Sequence, residues 1–303
     1  MDDNRTSDTA MLGKASARPV ILSMVVNLML AAVKGTAAFF GNSNALMADA
    51  AESFSDVMSS AIVFIGIKTA VKEPDEDHPY GHGKAEPIAS IAVVVFLLFT
   101  AVAIASRAVE RLWNPPPVPE SFTLYVLTGV IIIKELVYRY MHKKAKSFGS
   151  TALLAEALHN RSDAITSIMA FVGILLAIVG GPKFIAADAY ASIVASGIIA
   201  FNAIRIFKPA LNELMDAAPP EELKEEVKRI PLTVAGVIEV EKCFLRKMGM
   251  RYLVDMHVVV DGKITVNEGH AIAHHVKNAI QQQMPIISDV LVHIEPNDLV
   301  KTF

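Results

Sequence analysis

Six stretches of this chain are each apolar over about 20 residues, the length a helix needs to cross the hydrocarbon core of a bilayer. They fall at 19–40, 44–71, 86–108, 121–141, 152–180 and 184–207. Backbone amides in lipid must be paired within their own segment, so unbroken apolar runs of this length predict helices. With 53% of 303 residues hydrophobic and 19% charged, the chain reads as an integral membrane protein. A net charge of -3 leaves no footprint for nucleic acid. Residues 1–17 are polar and lack the apolar core of a cleaved signal peptide, so the N-terminus reads as retained. The single cysteine, Cys243, excludes an internal disulfide framework and fits a reducing compartment.

Charge orients the spans. One set of flanks carries Arg5, Lys14, Arg18, Lys68, Lys72, Lys84, Arg139, Lys143, Lys144, Lys146, Arg205 and Lys208; the other carries Arg107, Arg111 and Lys183. The positive-inside rule then puts both termini and the loops 72–85 and 142–151 in the cytoplasm. The expected plan is a cytoplasmic tail (1–18), an all-α six-helix transmembrane domain (19–208) and a cytoplasmic domain (209–303).

The last segment has a different texture. "PPEELKEEVKRI" (219–230) begins with prolines and acids suited to a helix N-terminus. "RYLVDMHVVVDG" (251–262) alternates, with Tyr252, Val254, Met256, Val258 and Val260 on one face. Thr265 and Glu268 have capping-box spacing ahead of a helix, while 237–247 and 289–296 read as further strands. The order α-β-β-α-β predicts a small α+β domain.

Segments 44–71 and 152–180 are the impure spans. Glu52 and Asp56 lie four residues apart in one, with Asp49 on the same face; His159 and Asp163 lie four apart in the other. Two neighbouring helices could therefore pool Glu52, Asp56, His159 and Asp163 into a four-ligand site for a divalent transition metal. Each ionisable group in a span costs roughly 2.5–3.5 kcal/mol, so such groups usually have a partner or a task. A plain structural role competes: His159 could hydrogen-bond a carbonyl, and the acids could pair with Arg161 or Lys34. Lys134 and Glu135, adjacent opposite charges in the fourth span, read as structural, neutralising each other or neighbouring helices. In the loop after the second span, Asp75, His78 and His82 have credible ligand spacing, with a solvated polar loop as the alternative.

Three strings, "SNALMADAAESFSDVMSS", "PDEDHPYGHGKAEP" and "ALHNRSDAITS", in this order and spacing, resemble the cation diffusion facilitators, over nearly the whole chain from Arg18 to Pro296. The resemblance implies a homodimeric divalent-cation/proton antiporter, a secondary transporter rather than an enzyme, with a ferredoxin-like cytoplasmic domain. It puts the transport site on Glu52, Asp56, His159 and Asp163, with Glu52 replacing the more usual Asp, Asn or His. A second site falls on Asp75, His78 and His82, and a dimer interlock on Lys84 and Asp216. Cytoplasmic ligands fall on His257, His270, His293 and Glu295, with Glu241 standing where the family has histidine. Alternation supports part of this independently, since His257 lies opposite the Val/Met face and His293 and Glu295 share a face. His274 and His275 read as helix surface.

Zinc is the favoured metal because the histidine is kept, with Fe2+, Co2+, Cd2+ and Mn2+ as alternatives; no organic cofactor is expected. The expected setting is a lipid bilayer, the bacterial inner membrane, with protons as counter-substrate. Two rivals from other classes remain. An intramembrane metallohydrolase would need an open coordination position and a general base, and no H-E-x-x-H occurs. A non-transporting partner subunit would have no need of a complete ligand set.

Overall fold

The protein, here a computed structural model describing residues 2–40, 44–114, 122–180 and 186–297, divides into two units, Met1–Leu211 and Asn212–Phe303. The first is helical: α1 (Asp2–Phe40), α2 (Asn44–Ala70), α3 (Ala85–Trp113), α4 (Phe122–Phe148), α5 (Thr151–Gly180) and α6 (Ala186–Leu214). The expected spans fall on these six helices; 19–40, 86–108 and 152–180 lie within α1, α3 and α5, 44–71 runs one residue past α2, and 121–141 and 184–207 begin outside the described residues. The expected tail differs, because α1 is helical from Asp2 and runs unbroken into the first span. α3, α4 and α6 also pass the expected span ends. Hydropathy marks where a helix is apolar, whereas its ends follow hydrogen bonding, which continues into amphipathic turns.

Three helical stretches among the described residues are long and apolar enough to cross a membrane: Ala15–Thr36, Ala85–Trp113 and Ser192–Leu214. The packing fits a lipid solvent. Ile21, Val25, Leu28, Phe99, Val102 and Leu136 are exposed, while Ser23, Asn27, Ser60, Glu156 and Asn160 are buried. Apolar groups gain nothing by leaving lipid for the bundle, so polar groups turn inward and small residues let the helices approach. α1 packs along α2 and α4 along α5, with α2 against α3 and α3 against α5.

The α4–α5 corner fixes the site. Gly149, at φ 64, ends α4 in the left-handed conformation that glycine takes without strain. The Ser150 N–H then donates back to the Ala145 carbonyl at 3.1 Å, satisfying a carbonyl the helix end leaves open. Ser150 in turn caps α5, its Oγ accepting the Leu153 N–H at 3.1 Å. The buried carboxylate of Glu86, near the start of α3, accepts the Ala152 N–H at 3.3 Å. An acid at this helix N-terminus also complements the macrodipole. The entry of α5 is thus tied to both α4 and α3.

The second unit runs α7 (Glu221–Arg229), a 3-10 turn at Pro231–Thr233, β1 (Glu239–Met248), β2 (Arg251–Val260), α8 (Val266–Gln283) and β3 (Ile287–Pro296). This is the expected order. The sheet is β1-β2-β3, with β1–β2 antiparallel and β2–β3 parallel. Val254, Met256 and Val258 pack with Val227, Val276, Ile280 and Val290 in the core. The capping box opens α8 one residue after Thr265, whose side chain accepts the Glu268 N–H while Glu268 accepts the Thr265 N–H.

Candidate metal centre

Within the helical unit, α2 supplies Asp56 and α5 supplies His159 and Asp163. One ligand atom from each lies within 4.8 Å of the others. His159 Nε2 is 3.3 Å from Asp56 Oδ1. Asp56 and His159 are buried and Asp163 is partly so. Phe96 of α3 meets the His159 ring edge-on, centroids 5.9 Å apart, closing one side with an apolar wall. The spacing argument for His159 and Asp163 on one face of α5 therefore corresponds to a real convergence with Asp56. Glu52 and Asp49 lie on α2, but their side chains fall outside those the structure describes.

Sequence reasoning placed Lys134 among structural charges. Its Nζ stands 3.1 Å from Asp56 Oδ2 and 2.7 Å from Asp163 Oδ2, and its side chain is 1% exposed. It does neutralise neighbouring helices, as expected, but the groups it meets are two of the expected metal ligands. Its sequence neighbour Glu135 turns away, accepting from Arg139 Nε at 2.6 Å on the exposed side. Adjacent helix positions differ by about 100°, so one residue can reach the bundle interior while the next leaves it. Arg161, offered as a partner for the acids, donates to the Tyr138 hydroxyl at 3.0 Å, and Lys34, the other candidate partner, has Ser53 Oγ at 2.9 Å among its contacts.

A second buried polar group surrounds Glu156, a charge in the fifth span to which the sequence alone assigns no role. Glu156 Oε1 accepts from Ser23 Oγ at 3.1 Å and from Ser60 Oγ, and Asn160 Nδ2 donates to Ser23 Oγ at 3.0 Å. Glu156 is 0% exposed. Its signal was present as a Glu-x3-Asn pair at helical spacing inside an apolar span.

The loop between α2 and α3 gathers its three expected residues. Asp75 lies 3.1 Å from His78 Nδ1 and 3.3 Å from His82 Nε2, and the two rings are 4.4 Å apart. Desolvation pulls Asp75 upward, but the His78 backbone N–H donating at 2.7 Å, with both imidazoles beside it, holds the carboxyl below the usual range. Lys84 follows at the N-cap of α3, and Asp216 takes φ 54 just beyond α6.

On the second unit's sheet, paired β2 and β3 set His257 opposite His293. His257 Nδ1 lies 2.9 Å from Glu295 Oε1, and His293 Nε2 lies 3.5 Å from the same oxygen. Glu241 joins this face because the β1 register shifts between Val240 and Lys242, bringing its Oε2 to 3.9 Å from His257 Nδ1. His270 is not brought to this group. α8 buries Gly269, Val276 and Ile280, which leaves His270 exposed, its ring 4.5 Å from that of His274.

Known proteins carry the same plan. Residues 20–215 match the cation efflux transmembrane domain and residues 219–297 the cation efflux protein cytoplasmic domain. The manganese efflux system protein MneP of Bacillus subtilis is 33% identical over 285 residues, covering 93% of this chain and 96% of its own. An uncharacterized transporter of Methanocaldococcus jannaschii is 35% identical over 282 residues, covering 92% and 97%. The cation-efflux pump FieF of Shewanella oneidensis is 30% identical over 280 residues, covering 90% and 93%. Buried acids and an imidazole converging inside a helical unit, joined to this small α+β unit, thus sit in a chain that belongs to the cation diffusion facilitator family of membrane metal-efflux transporters.

Proposed function

We propose that the chain exports a divalent transition-metal ion from the cytoplasm in exchange for protons, working as a homodimer by alternating access. The observation that carries this reading is the convergence of Asp56, His159 and Asp163 within 4.8 Å inside the helical unit. Glu52, one helical turn from Asp56 on α2, is the proposed fourth ligand. Ligands must be deprotonated to bind metal, so metal capture releases protons and proton uptake expels metal. Among the proposed ligands His159 supplies an imidazole nitrogen that holds either the metal or a proton. Facing the cytoplasm the set takes up the ion; facing outward it exchanges the ion for protons.

Mn2+ is the proposed substrate. Three carboxylates and one imidazole form a mostly hard donor set, which suits manganese, and MneP is named for manganese efflux. Retention of His159 favours Zn2+ as the second reading. The Asp75/His78/His82 loop, the His257/His293/Glu295 face with Glu241 beside it, and a Lys84–Asp216 interlock between protomers are proposed as accessory metal and dimer features. Both termini are proposed to be cytoplasmic.

The test is transport into proteoliposomes under an imposed pH gradient, across Mn2+, Zn2+, Fe2+, Co2+ and Cd2+. Wild type is expected to move Mn2+ fastest, and Asp163→Ala to fall to the protein-free background. Full transport by Asp163→Ala refutes the site.

A further inference from the structure

Lys134 stands where the cargo is proposed to go. Its ammonium lies 3.1 Å from Asp56 Oδ2 and 2.7 Å from Asp163 Oδ2, on a side chain 1% exposed. The helix supplying it, α4, contributes no proposed ligand, and it is held against α5 by the Gly149–Ser150 corner. The ammonium takes up one oxygen of each carboxylate, while a bound dication would need those carboxylates at roughly 2.0–2.2 Å. A positive group a few ångströms from a dication in a low-dielectric interior repels it strongly. Lysine carries its charge on a flexible four-carbon stem, so the head can leave without the helix moving.

We propose that Lys134 is a displaceable internal cation. In the empty carrier its ammonium holds Asp56 and Asp163 together and neutralises them; the entering divalent ion expels it, and its return helps eject the ion. Lys134 thereby sets metal affinity below what the carboxylates and imidazole would give alone. Metal and ammonium alternate at the same pair of acids. The proposal rests on the transport-site reading above, and it needs no change in the charge of the lysine.

The experiment uses full-length protein in detergent, carrying His78→Ala, His82→Ala, His257→Ala and His293→Ala so that the loop and sheet clusters contribute little binding. Mn2+ affinity and melting temperature are measured for this background and with Lys134→Gln, Lys134→Arg or Asp163→Ala added. Lys134→Gln is expected to bind Mn2+ at least about tenfold more tightly, because a competing fixed charge is gone. Lys134→Arg, which keeps the charge, is expected to stay within about threefold of the parent. Without metal Lys134→Gln melts lower, since two buried acids lose their partner, and saturating Mn2+ restores it to the metal-loaded parent value. A lysine that merely braces the bundle would lose stability with and without metal.

Unchanged or weaker binding by Lys134→Gln, while Asp163→Ala abolishes binding, overturns the role of Lys134 and leaves the transport site standing. Binding insensitive to Asp163→Ala in the parent overturns both. Should Lys134→Gln fail to fold, the structure of Mn2+-loaded wild type decides. Nζ more than about 4 Å from at least one of the two carboxylates supports displacement, and Nζ still bridging both overturns it.

Discussion

Cys243 is 5% exposed on β1, within the core between the sheet and its helices. Burial pushes its thiol up to about 11, and Lys228 and Lys224 of α7 only partly offset this. The sign follows from linkage. Between the unfolded thiol value of about 8.5 and the folded value the native state binds more protons, so stability falls as pH rises through that window. The folded protein is expected to react with iodoacetamide at pH 8 at least about a hundredfold more slowly than in denaturant, since the thiolate is the nucleophile. Equal rates would mean the β1 edge opens readily. Single residues are also where sequence reading was weakest. Lys134 was visible as a charge in a span, but nothing in its neighbourhood says that it, and not Glu135, points at Asp56 and Asp163. Glu241 shares a face with His257 only because of a register shift that strict alternation does not foresee.

Elements were more legible, because period and caps are written locally. The capping box at Thr265 and Glu268 opens α8 where expected, and the alternating face of β2 is the buried one at Val254, Met256 and Val258. Close approach between elements was not legible. A Cβ on Gly66 of α2 would collide with the Ala89 Cβ of α3 and lie 3.3 Å from the Ala85 carbonyl oxygen. α2 carries Asp56 and α3 carries Phe96 against His159, so this contact sets the spacing of the candidate metal centre. Gly66→Ala is expected to cost about 1–3 kcal/mol through overpacking, lowering the melting temperature and Mn2+ transport together. Ala89→Gly in the same chain removes the opposing methyl and should recover most of both. Failure of that pair to recover would mean the backbone approach, rather than the two side chains, is the limit.

At the scale of the whole molecule, the cluster inside the helical bundle and the cluster on the second unit's sheet differ in solvent access. Asp56 and His159 are buried in a helical unit whose outward faces are apolar, whereas His293 is exposed and His257 and Glu295 are half-exposed on the sheet. The division into units was legible because the change from apolar runs to alternating and amphipathic segments after Lys208 is a change of solvent. On the proposed function that contrast assigns the two clusters different roles. A buried site flanked by its own ammonium fits cargo that must be captured and released, and an open site on a small sheet fits an ion sampled from the cytoplasm. If metal on the sheet biases the carrier toward its cytoplasm-facing form, it tightens cargo binding there, and linkage requires cargo to tighten metal binding on the sheet by the same factor. His257→Ala with His293→Ala is then expected to raise the Mn2+ concentration for half-maximal transport about fivefold or more, within the usual span of coupling energies. The maximal rate should stay near that of wild type, because Asp56, His159 and Asp163 are untouched. The decisive comparison is initial rate against Mn2+ in proteoliposomes at fixed pH gradient. A lower maximal rate with an unchanged half-maximal concentration would assign the sheet cluster to assembly of the dimer instead of to sensing.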